Sequence, residues 1–141
     1  MISKSERETK KIAADLVKKL PGSSVLTLYG KLGSGKTTFV HGLAQSLGIK
    51  ERILSPTFVL LRSYSLDDPR FAHLHHFDLY RMENEEAAKT SGIEEILKEN
   101  TSLVVIEWPE KIESLLPGNV IKIKFRKIDD AKREIEIKSV G

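Results

Sequence analysis

Apolar residues recur with the period of an amphipathic helix in two segments, at 12–20 and at 39–47. Before the first segment, Ser3 and Ser5 each have a glutamate three residues later, which is the spacing of a helix-capping box. A Pro-Gly pair follows the first segment and a glycine follows the second, as is common at helix ends. We therefore predict two helices that each bury one face. The apolar residues of these faces are Ile12, Ala13, Leu16, Val17 and Leu20, and Phe39, Val40, Leu43, Ala44 and Leu47.

Runs of apolar or alternating residues predict six β-strands. The run at 103–106 is apolar throughout, which is typical of a strand buried on both faces. An Asp-Asp-Pro-Arg turn separates the runs at 58–64 and 71–79, and an Asp-Asp pair separates two alternating runs near the end of the chain. Two antiparallel hairpins are therefore expected. The predicted strands cover residues 25–29, 58–64, 71–79, 103–106, 120–125 and 133–138.

The segment between the first strand and the second helix, Gly30 to Thr37, matches the phosphate-binding pattern G-x-x-x-x-G-K-[ST] at every fixed position. Backbone N–H groups of such a loop point at phosphate oxygens, and the following helix presents its positive N-terminal end to the same anion. We expect Lys36 to reach the β- and γ-phosphates and the Thr37 hydroxyl to ligate Mg²⁺. The predicted nucleotide-binding residues are Gly30, Leu32, Gly33, Ser34, Gly35, Lys36, Thr37 and Thr38.

The alternation of strands and helices around this loop predicts an α/β fold. Two shorter helices, at 84–91 with Asn84 as its cap and at 93–98, add to the alternation. We expect a P-loop NTPase-like three-layer α/β/α architecture with a mixed, mainly parallel central sheet and added antiparallel hairpins. The chain has 141 residues without a repeat or a linker, so residues 1–141 are expected to form a single P-loop domain.

The composition, 40% hydrophobic and 30% charged, is typical of a soluble globular protein. The chain has no cysteine, which excludes disulfides and thiolate zinc sites. It has no signal-peptide pattern and no apolar run of membrane-spanning length. We expect a cytoplasmic location and no contact with membranes.

The net charge of +3 is carried by the two ends of the chain. Residues 1–20 contain six basic and three acidic residues, residues 117–141 contain seven and four, and the part between them contains ten and thirteen. No basic stripe with interleaved aromatic residues, of the kind that binds single strands, occurs in the sequence. A solvated surface is the favoured interpretation, and direct RNA binding is the alternative.

Two acidic residues at the ends of predicted strands are candidates for metal binding and catalysis. Glu107 directly follows the buried run at 103–106, and Asp78 lies near the end of the strand at 71–79. Parallel strands bring their carboxyl ends to the sheet edge where ligands bind, and Mg²⁺ prefers carboxylate and hydroxyl oxygens. We expect Glu107 to orient the attacking water or to hold Mg²⁺ through water, with Asp78 as a second member of the metal site. The alternative for Glu107 is an acid that only ends a strand.

Two further residues are candidates for contacts with the nucleotide. Thr57 follows Pro56 where a mobile loop can close over the γ-phosphate, and the alternative is a threonine that only starts a strand. Trp108 directly follows Glu107, and it belongs either to the core or to a surface near the nucleotide or a partner.

Three histidines lie close together in the strand at 71–79. Because side chains alternate along a strand, His73 and His75 share one face while His76 points to the other. We therefore favour structural or surface histidines over a transition-metal site.

The sequence contains five blocks that are informative together: 28–39, 55–58 (Ser-Pro-Thr-Phe), 76–81 (His-Phe-Asp-Leu-Tyr-Arg), 92–95 (Gly-Ile-Glu-Glu) and 106–110 (Ile-Glu-Trp-Pro-Glu). They resemble the TsaE family, small ATPases of the bacterial machinery that makes threonylcarbamoyladenosine (t6A) at position 37 of tRNAs reading ANN codons. The order and spacing of the resemblance extend from about residue 6 to residue 125. Lys31 departs from the family pattern, which often has an acid after the first loop glycine.

The resemblance implies an ATP-hydrolysing accessory subunit that uses ATP and Mg²⁺ and is not itself the transferase. The implied partners are a TsaD-like threonylcarbamoyl transferase subunit and its inactive TsaB-like paralogue, with tRNA contacted indirectly through the complex. ATP binding would favour docking, and hydrolysis would reset the complex. By position, Lys36 and Thr37 would hold phosphate and Mg²⁺, Asp78 and Glu107 would be the acidic partners, and Thr57 would lie in a switch-like loop.

A small-molecule kinase with the same loop is the main alternative. A signalling GTPase is disfavoured because the sequence has no Asn-Lys-x-Asp, and no Asp-x-x-Gly follows the second strand. The arginines are scattered rather than gathered in a lid, and Arg81 is a candidate for a catalytic arginine in cis. A pure interaction module is disfavoured by the intact Gly35-Lys36-Thr37 sequence and the two acids.

Overall fold

Seven strands form one sheet in the computed structural model of the chain, which describes residues 1–50 and 61–139. The strands are β1 (Ile2–Ser3), β2 (Ser24–Tyr29), β3 (Leu61–Asp68), β4 (Phe71–Asp78), β5 (Ser102–Glu107), β6 (Ile121–Lys127) and β7 (Arg133–Ser139). Their order across the sheet is β1-β7-β6-β2-β5-β4-β3. The four central strands, β6, β2, β5 and β4, are parallel, while β3 and β7 pair with them in antiparallel hairpins and β1 pairs antiparallel with β7. The sheet is therefore mixed, with a parallel centre.

Helices cover both faces of this sheet. On one face lie α1 (Glu6–Lys19) and α2 (Lys36–Ser46). On the other lie α3 (Glu85–Lys89), α4 (Ile93–Leu97) and an irregular 3₁₀ segment, Pro109–Leu115. Alternate residues of β5 belong to the two apolar cores, because successive side chains of a strand point to opposite faces. The predicted three-layer α/β/α fold is confirmed.

The first helix is held at both ends by side chains. Ser5 is its cap and accepts a hydrogen bond from the backbone N–H of Glu8 at 3.1 Å. Ser3 lies in β1 instead, where its hydroxyl donates to the carbonyl of Ser5. At the other end, the Arg70 guanidinium donates to the carbonyl of Val17 at 2.7 Å and to that of Leu20 at 2.9 Å. The turn between β3 and β4 is thereby tied to the end of α1.

The two long helices pack closely because α2 has a glycine at their contact. A Cβ added to Gly42 would lie 2.6 Å from the Cα of Lys10 and 3.0 Å from the Cβ of Ala13. On its other side, α2 contacts the sheet through Phe39, whose ring meets the Phe125 ring edge-on with centroids 5.3 Å apart. The helix that begins at the phosphate loop is therefore fixed between α1 and the sheet.

Strand β1 and the extent of β3 differ from the sequence prediction. The two residues of β1, which were not predicted as a strand, pair with β7, and the amino terminus donates to the carbonyl of Ile135. Strand β3 continues to Asp68, beyond the predicted end at 64, because the Asp68 carboxylate accepts from the backbone N–H and the guanidinium of Arg70 and so confines the turn to two residues. The predicted start of this strand, at 58–60, lies outside the described residues.

Candidate nucleotide-binding site

A cavity of about 630 Å³ opens at the carboxyl ends of the parallel strands, which is within the range of small-molecule sites. The phosphate loop and the first turn of α2 form one wall, and the ends of β4 and β5 form another. The turn before α1 and the β6–β7 turn complete it. The predicted site residues that line it are Leu32, Gly33, Gly35, Lys36, Thr37, Thr38, Asp78 and Glu107.

The loop has a conformation that only glycine adopts without strain at three positions. Gly30, Gly33 and Gly35 have φ angles of 150°, 77° and 106°. At Gly30 the space is also filled, since an added Cβ would lie 2.6 Å from the Ser34 hydroxyl oxygen and 2.8 Å from the carbonyl oxygen of Phe125. The two fixed glycines of the motif, Gly30 and Gly35, and Gly33 between them are therefore required by backbone geometry.

The polar groups of the loop suit an anion. Helix α2 begins directly after Gly35, and no side chain among the described residues caps its first N–H groups. The Ser34 hydroxyl is buried and has no hydrogen-bond partner in the described part of the chain. Unpaired donors around a helix start are the chemistry that binds phosphate, so the loop fits a nucleotide.

Lys36 is buried inside the loop, with 5% of its surface exposed. Its Nζ donates to the carbonyl of Gly30 at 2.7 Å and lies 3.8 Å from the centroid of the Trp108 ring. Burial lowers the pKa of the Lys36 ammonium, against the opposing effect of nearby carboxylates, first Glu107. The amino group of Lys36 therefore lies at the pocket, beside carboxylates that favour its charged form.

Asp78 and Glu107 are direct neighbours across β4 and β5, where their Cα atoms are partners in the parallel register. Asp78 accepts a hydrogen bond from the backbone N–H of Tyr80 at 3.0 Å. Burial raises the pKa of the Asp78 carboxyl above its ordinary value, the Tyr80 N–H opposes the rise, and the nearby Glu107 carboxylate adds to it. Two adjacent carboxylates beside Lys36 give the pocket the acidic edge that the sequence predicted.

Glu107 is almost fully buried and is paired with a histidine that the sequence did not assign to the site. Its Oε2 lies 2.6 Å from Nε2 of His76, and the side chains are 4% and 1% exposed. The alternation along β4 contained the signal, since His76 and Asp78 are two residues apart and so share a face. His73 and His75 lie on the opposite face, with ring centroids 5.4 Å apart.

The oxygens available for a divalent cation are those of Thr37, Asp78 and Glu107, which all line the cavity. Mg²⁺ commonly takes only one or two protein carboxylates and completes its shell with phosphates and water. This donor set fits Mg²⁺ bound together with a nucleotide. In the described ranges, 1–50 and 61–139, no cluster of three or more His, Cys, Asp or Glu residues is arranged to hold a metal ion by itself.

Trp108 is placed by its backbone and by the segment that follows it. Its φ of 61° is the only positive φ of a non-glycine residue in the described part of the chain. Its ring packs at 5.0 Å from the ring of Tyr80. The hydroxyl of Tyr29 donates to Glu113 of the 3₁₀ segment at 2.9 Å, and burial together with this contact raises the pKa of Tyr29 to about 12. The segment after Trp108 is thus anchored to the strand that carries the loop.

Both ends of the chain contribute residues that sequence reasoning did not assign to the site. Lys4 and Ser5 line the cavity from one side, and Ala131 of the β6–β7 turn and Arg133 at the start of β7 line it from another. The Arg133 side chain would lie 3.6 Å from a Cβ added to Gly35. No motif or spacing marks these residues, because only the pairing of β1 with β7 brings them together.

Two further residues with predicted roles are Thr57 and Arg81. Thr57 lies outside the described residues. Arg81 lines the cavity, as its proposed role in cis requires. Within residues 1–50 and 61–139, no helix combines the length and the apolarity needed to span a membrane.

The chain is similar to known proteins over nearly its whole length. The sequence profile described as "Threonylcarbamoyl adenosine biosynthesis protein TsaE" matches residues 3–135. A relative from Treponema pallidum, named tRNA threonylcarbamoyladenosine biosynthesis protein TsaE, is 39% identical over 96% of this chain and 97% of its own length. Relatives with the same name from Bacillus subtilis and Aquifex aeolicus are 37% and 33% identical, over 95% and 97% of this chain and 81% and 93% of theirs.

A solved structure agrees in fold. The crystal structure of Bacillus subtilis YdiB superposes with a TM-score of 0.80 at 31% sequence identity, covering 100% of this chain and 84% of that one. The phosphate loop, the two adjacent carboxylates and the full-length match lead to one conclusion. This chain belongs to the TsaE family of threonylcarbamoyl adenosine biosynthesis proteins.

Proposed function

We propose that this chain is the ATP-binding and ATP-hydrolysing accessory subunit of the machinery that makes t6A at position 37 of tRNAs reading ANN codons. The observation that carries the proposal is the meeting of Lys36, Thr37, Asp78 and Glu107 in one cavity, in a chain of the TsaE family. Strands from near both ends of the chain, β1 and β7, join the same sheet as the strands that carry the site, which supports a single domain over residues 1–141. A cytoplasmic location is part of the proposal.

The phosphates would be held by the loop. Its backbone N–H groups and the start of α2 would bind phosphate oxygens, and Lys36 would exchange the Gly30 carbonyl for the β- and γ-phosphates. Mg²⁺, held by Thr37 and by Asp78 and Glu107 directly or through water, would neutralise the charge that develops on the phosphates. The Ser34 hydroxyl, buried without a partner among the described residues, is an additional donor in this loop.

Glu107 would position the water that attacks the γ-phosphate. Its carboxylate lines the cavity and is close enough to Lys36 to oppose the fall in the pKa of that ammonium. A carboxylate next to the phosphate loop accepts a hydrogen bond from water and thereby orients its oxygen. Thr57 would complete the site from the switch-like loop.

The partners would be a TsaD-like threonylcarbamoyl transferase subunit and a TsaB-like paralogue. Exposed apolar residues at the cavity, Leu32 at 67% and Tyr80 at 45% exposure, support a partner surface next to the nucleotide. ATP binding would favour docking and hydrolysis would release it, with tRNA contacted through the complex. A catalytic arginine supplied in cis or in trans raises rates by roughly 10³–10⁵, so the chain alone is expected to hydrolyse ATP slowly.

The test is ATP turnover by the purified chain, alone and mixed with the two partner proteins. We expect ADP and inorganic phosphate at a rate that the partners raise, and we expect Glu107→Gln to lose most of this turnover, with a small measurable rate remaining, while ATP still binds. ATP·Mg²⁺ at about a hundred times its Kd should stabilise the fold by about 2.7 kcal/mol in wild type, and Lys36→Ala should lose this stabilisation. Normal turnover by Glu107→Gln with partners would exclude the role of Glu107, and full affinity in Lys36→Ala would exclude the pocket.

The small-molecule kinase is tested in the same assay. A kinase transfers the γ-phosphate to an acceptor, whereas the accessory subunit releases it as inorganic phosphate. The relatives that share the whole length of the chain carry a t6A biosynthesis name, which favours the accessory subunit. Failure to form a complex with the two partner proteins under any nucleotide condition would contradict the accessory role and leave the nucleotide site standing.

A further inference from the structure

The buried pair of His76 and Glu107 has a defined hydrogen position. Nε2 of His76 and Oε2 of Glu107 are 2.6 Å apart, and both side chains are almost fully buried. The other ring nitrogen, Nδ1, is buried and has no hydrogen-bond partner among the described residues. A hydrogen on Nδ1 would be a buried donor without an acceptor, and it would leave two lone pairs facing each other between Nε2 and Oε2. The hydrogen therefore belongs on Nε2, which donates to Glu107.

This donor holds one of the two oxygens of the Glu107 carboxylate. The last torsion of a glutamate side chain is broad, so its two oxygens exchange positions readily unless one of them is held. His76 binds Oε2 specifically and leaves Oε1 outside this contact. Carboxylates that bind metals are themselves commonly held by hydrogen bonds from neighbouring groups.

We propose that His76 is a positioning residue for Glu107, whose Nε2–H holds Oε2 so that Oε1 is the oxygen that orients the attacking water. The inference rests on the proposed ATP hydrolysis by this chain. His76 itself is expected to touch neither nucleotide nor water. Its effect is to keep one carboxylate orientation populated, which matters because small misplacements of a positioning group lower the rate of the chemical step.

The same strand provides a matched control. His75, next in the chain, also contacts a glutamate, with its Nε2 3.1 Å from Oε2 of Glu99. This pair lies on the opposite face of β4, the Glu99 side chain is 40% exposed, and neither residue lines the cavity. A change at His75 removes a histidine–glutamate contact from the same strand without touching the proposed site.

The kinetic test compares His76→Leu, His76→Gln and His75→Leu in ATP·Mg²⁺ turnover with the partner proteins present. His76→Leu should lower kcat by about tenfold or more, while KM for ATP stays within about twofold of wild type. His76→Gln keeps an N–H donor in place of Nε2 and should restore most of kcat, and His75→Leu should leave both constants unchanged. An unaltered kcat in His76→Leu, or an effect confined to KM, would overturn the inference.

A second variant series separates action through Glu107 from a general loss of structure. In a Glu107→Gln background, His76→Leu should lower the remaining rate no further, because the carboxylate that it positions is gone. A tenfold loss in that background as well would show that His76 acts independently of Glu107. If His76→Leu does not fold, His76→Gln and the measurement on the unaltered protein decide the question.

The measurement on the unaltered protein is the ¹⁵N NMR spectrum of its histidine rings, recorded without nucleotide. We expect Nε2 of His76 to carry a hydrogen, as a donor to Glu107 must. An Nε2 without a hydrogen would overturn the inference whatever the turnover. Absence of ATP hydrolysis by wild type would instead contradict the proposed function, so the two failures are distinguishable.

Discussion

The Lys36 ammonium lies 3.8 Å from the centroid of the Trp108 ring, although the two residues are far apart in the chain. The same ammonium donates to the carbonyl of Gly30 within the phosphate loop. Trp108 is the only tryptophan in the chain. The single strong fluorophore of this protein is therefore in contact with the cation that is proposed to bind phosphate.

Binding of ATP·Mg²⁺ should change the tryptophan emission of the wild-type chain. Phosphate oxygens compete for Lys36 and draw its ammonium away from the indole face, which alters the electrostatic surroundings of the ring. Titration with ATP·Mg²⁺ should give a saturable change, and Lys36→Ala should show none. Emission that stays constant while an independent method reports ATP binding would contradict a displacement of Lys36 from Trp108.

Asp78→Asn should raise the stability of the nucleotide-free protein at neutral pH and lower ATP turnover with partners. The pKa of Asp78 is raised in the folded state, mainly by burial, so the ionised carboxylate destabilises the native protein at pH values above that pKa. The amide has no charge and still accepts from the Tyr80 N–H. Thermal melts at pH 7 should show a Tm higher by a few degrees.

The difference in Tm between Asp78→Asn and wild type should depend on pH, because the pKa of Asp78 is raised in the folded state. As pH falls through the raised pKa of Asp78, the carboxylate of the folded wild type binds a proton. The protonated carboxyl no longer destabilises the native protein, so the Tm difference between Asp78→Asn and wild type should shrink. Asp67→Asn, which removes the same charge from an exposed position of β3, is the control and should leave Tm nearly unchanged. A Tm for Asp78→Asn below that of wild type at pH 7 would refute this account of Asp78.

Arg70→Ala should lower the free energy of unfolding by about 2 kcal/mol. The guanidinium donates to two carbonyls at the end of α1 and to the Asp68 carboxylate, and its removal leaves those acceptors without a charged donor. Urea unfolding measures the change. The control is Arg126→Ala, since the ion pair of Arg126 with Glu134 is exposed and is expected to contribute about 0–1 kcal/mol. Equal effects of the two changes would mean that Arg70 does not anchor α1.

Gly42→Ala should destabilise the fold by at least about 2 kcal/mol, opposite in sign to the usual effect of this change inside a helix. The added Cβ would lie 2.6 Å from the Cα of Lys10 and 2.8 Å from its carbonyl oxygen, so α1 and α2 would have to move apart. At Gly118 an added Cβ meets nothing within 4 Å, and Gly118→Ala should change stability little. A Gly42→Ala protein as stable as wild type would show that the helices tolerate separation.

Most of the secondary structure and the loop that carries the phosphate-binding motif could be predicted from local pattern. The stripes of α1 and α2, the buried run of β5 and the Gly30–Thr37 loop each lie in one continuous segment, so the residues that form them are neighbours in the chain. Strand β1 could not be predicted, because two residues have no detectable period and pair only when β7 is in place. The turn before α1 and the turn before Arg133 likewise join the cavity only through that pairing.

What the sequence determined by itself is the chemistry of this protein: the loop glycines, one lysine, one threonine and two acids that end strands. The tertiary structure decided which of these groups face each other. The parallel register of β4 and β5 makes Asp78 and Glu107 neighbours and brings His76 to Glu107, and the left-handed backbone of Trp108 places its ring on Lys36. The physical reason is that local pattern fixes the conformation of a segment, whereas contacts between distant segments depend on strand order and register, which are set only when the whole core packs.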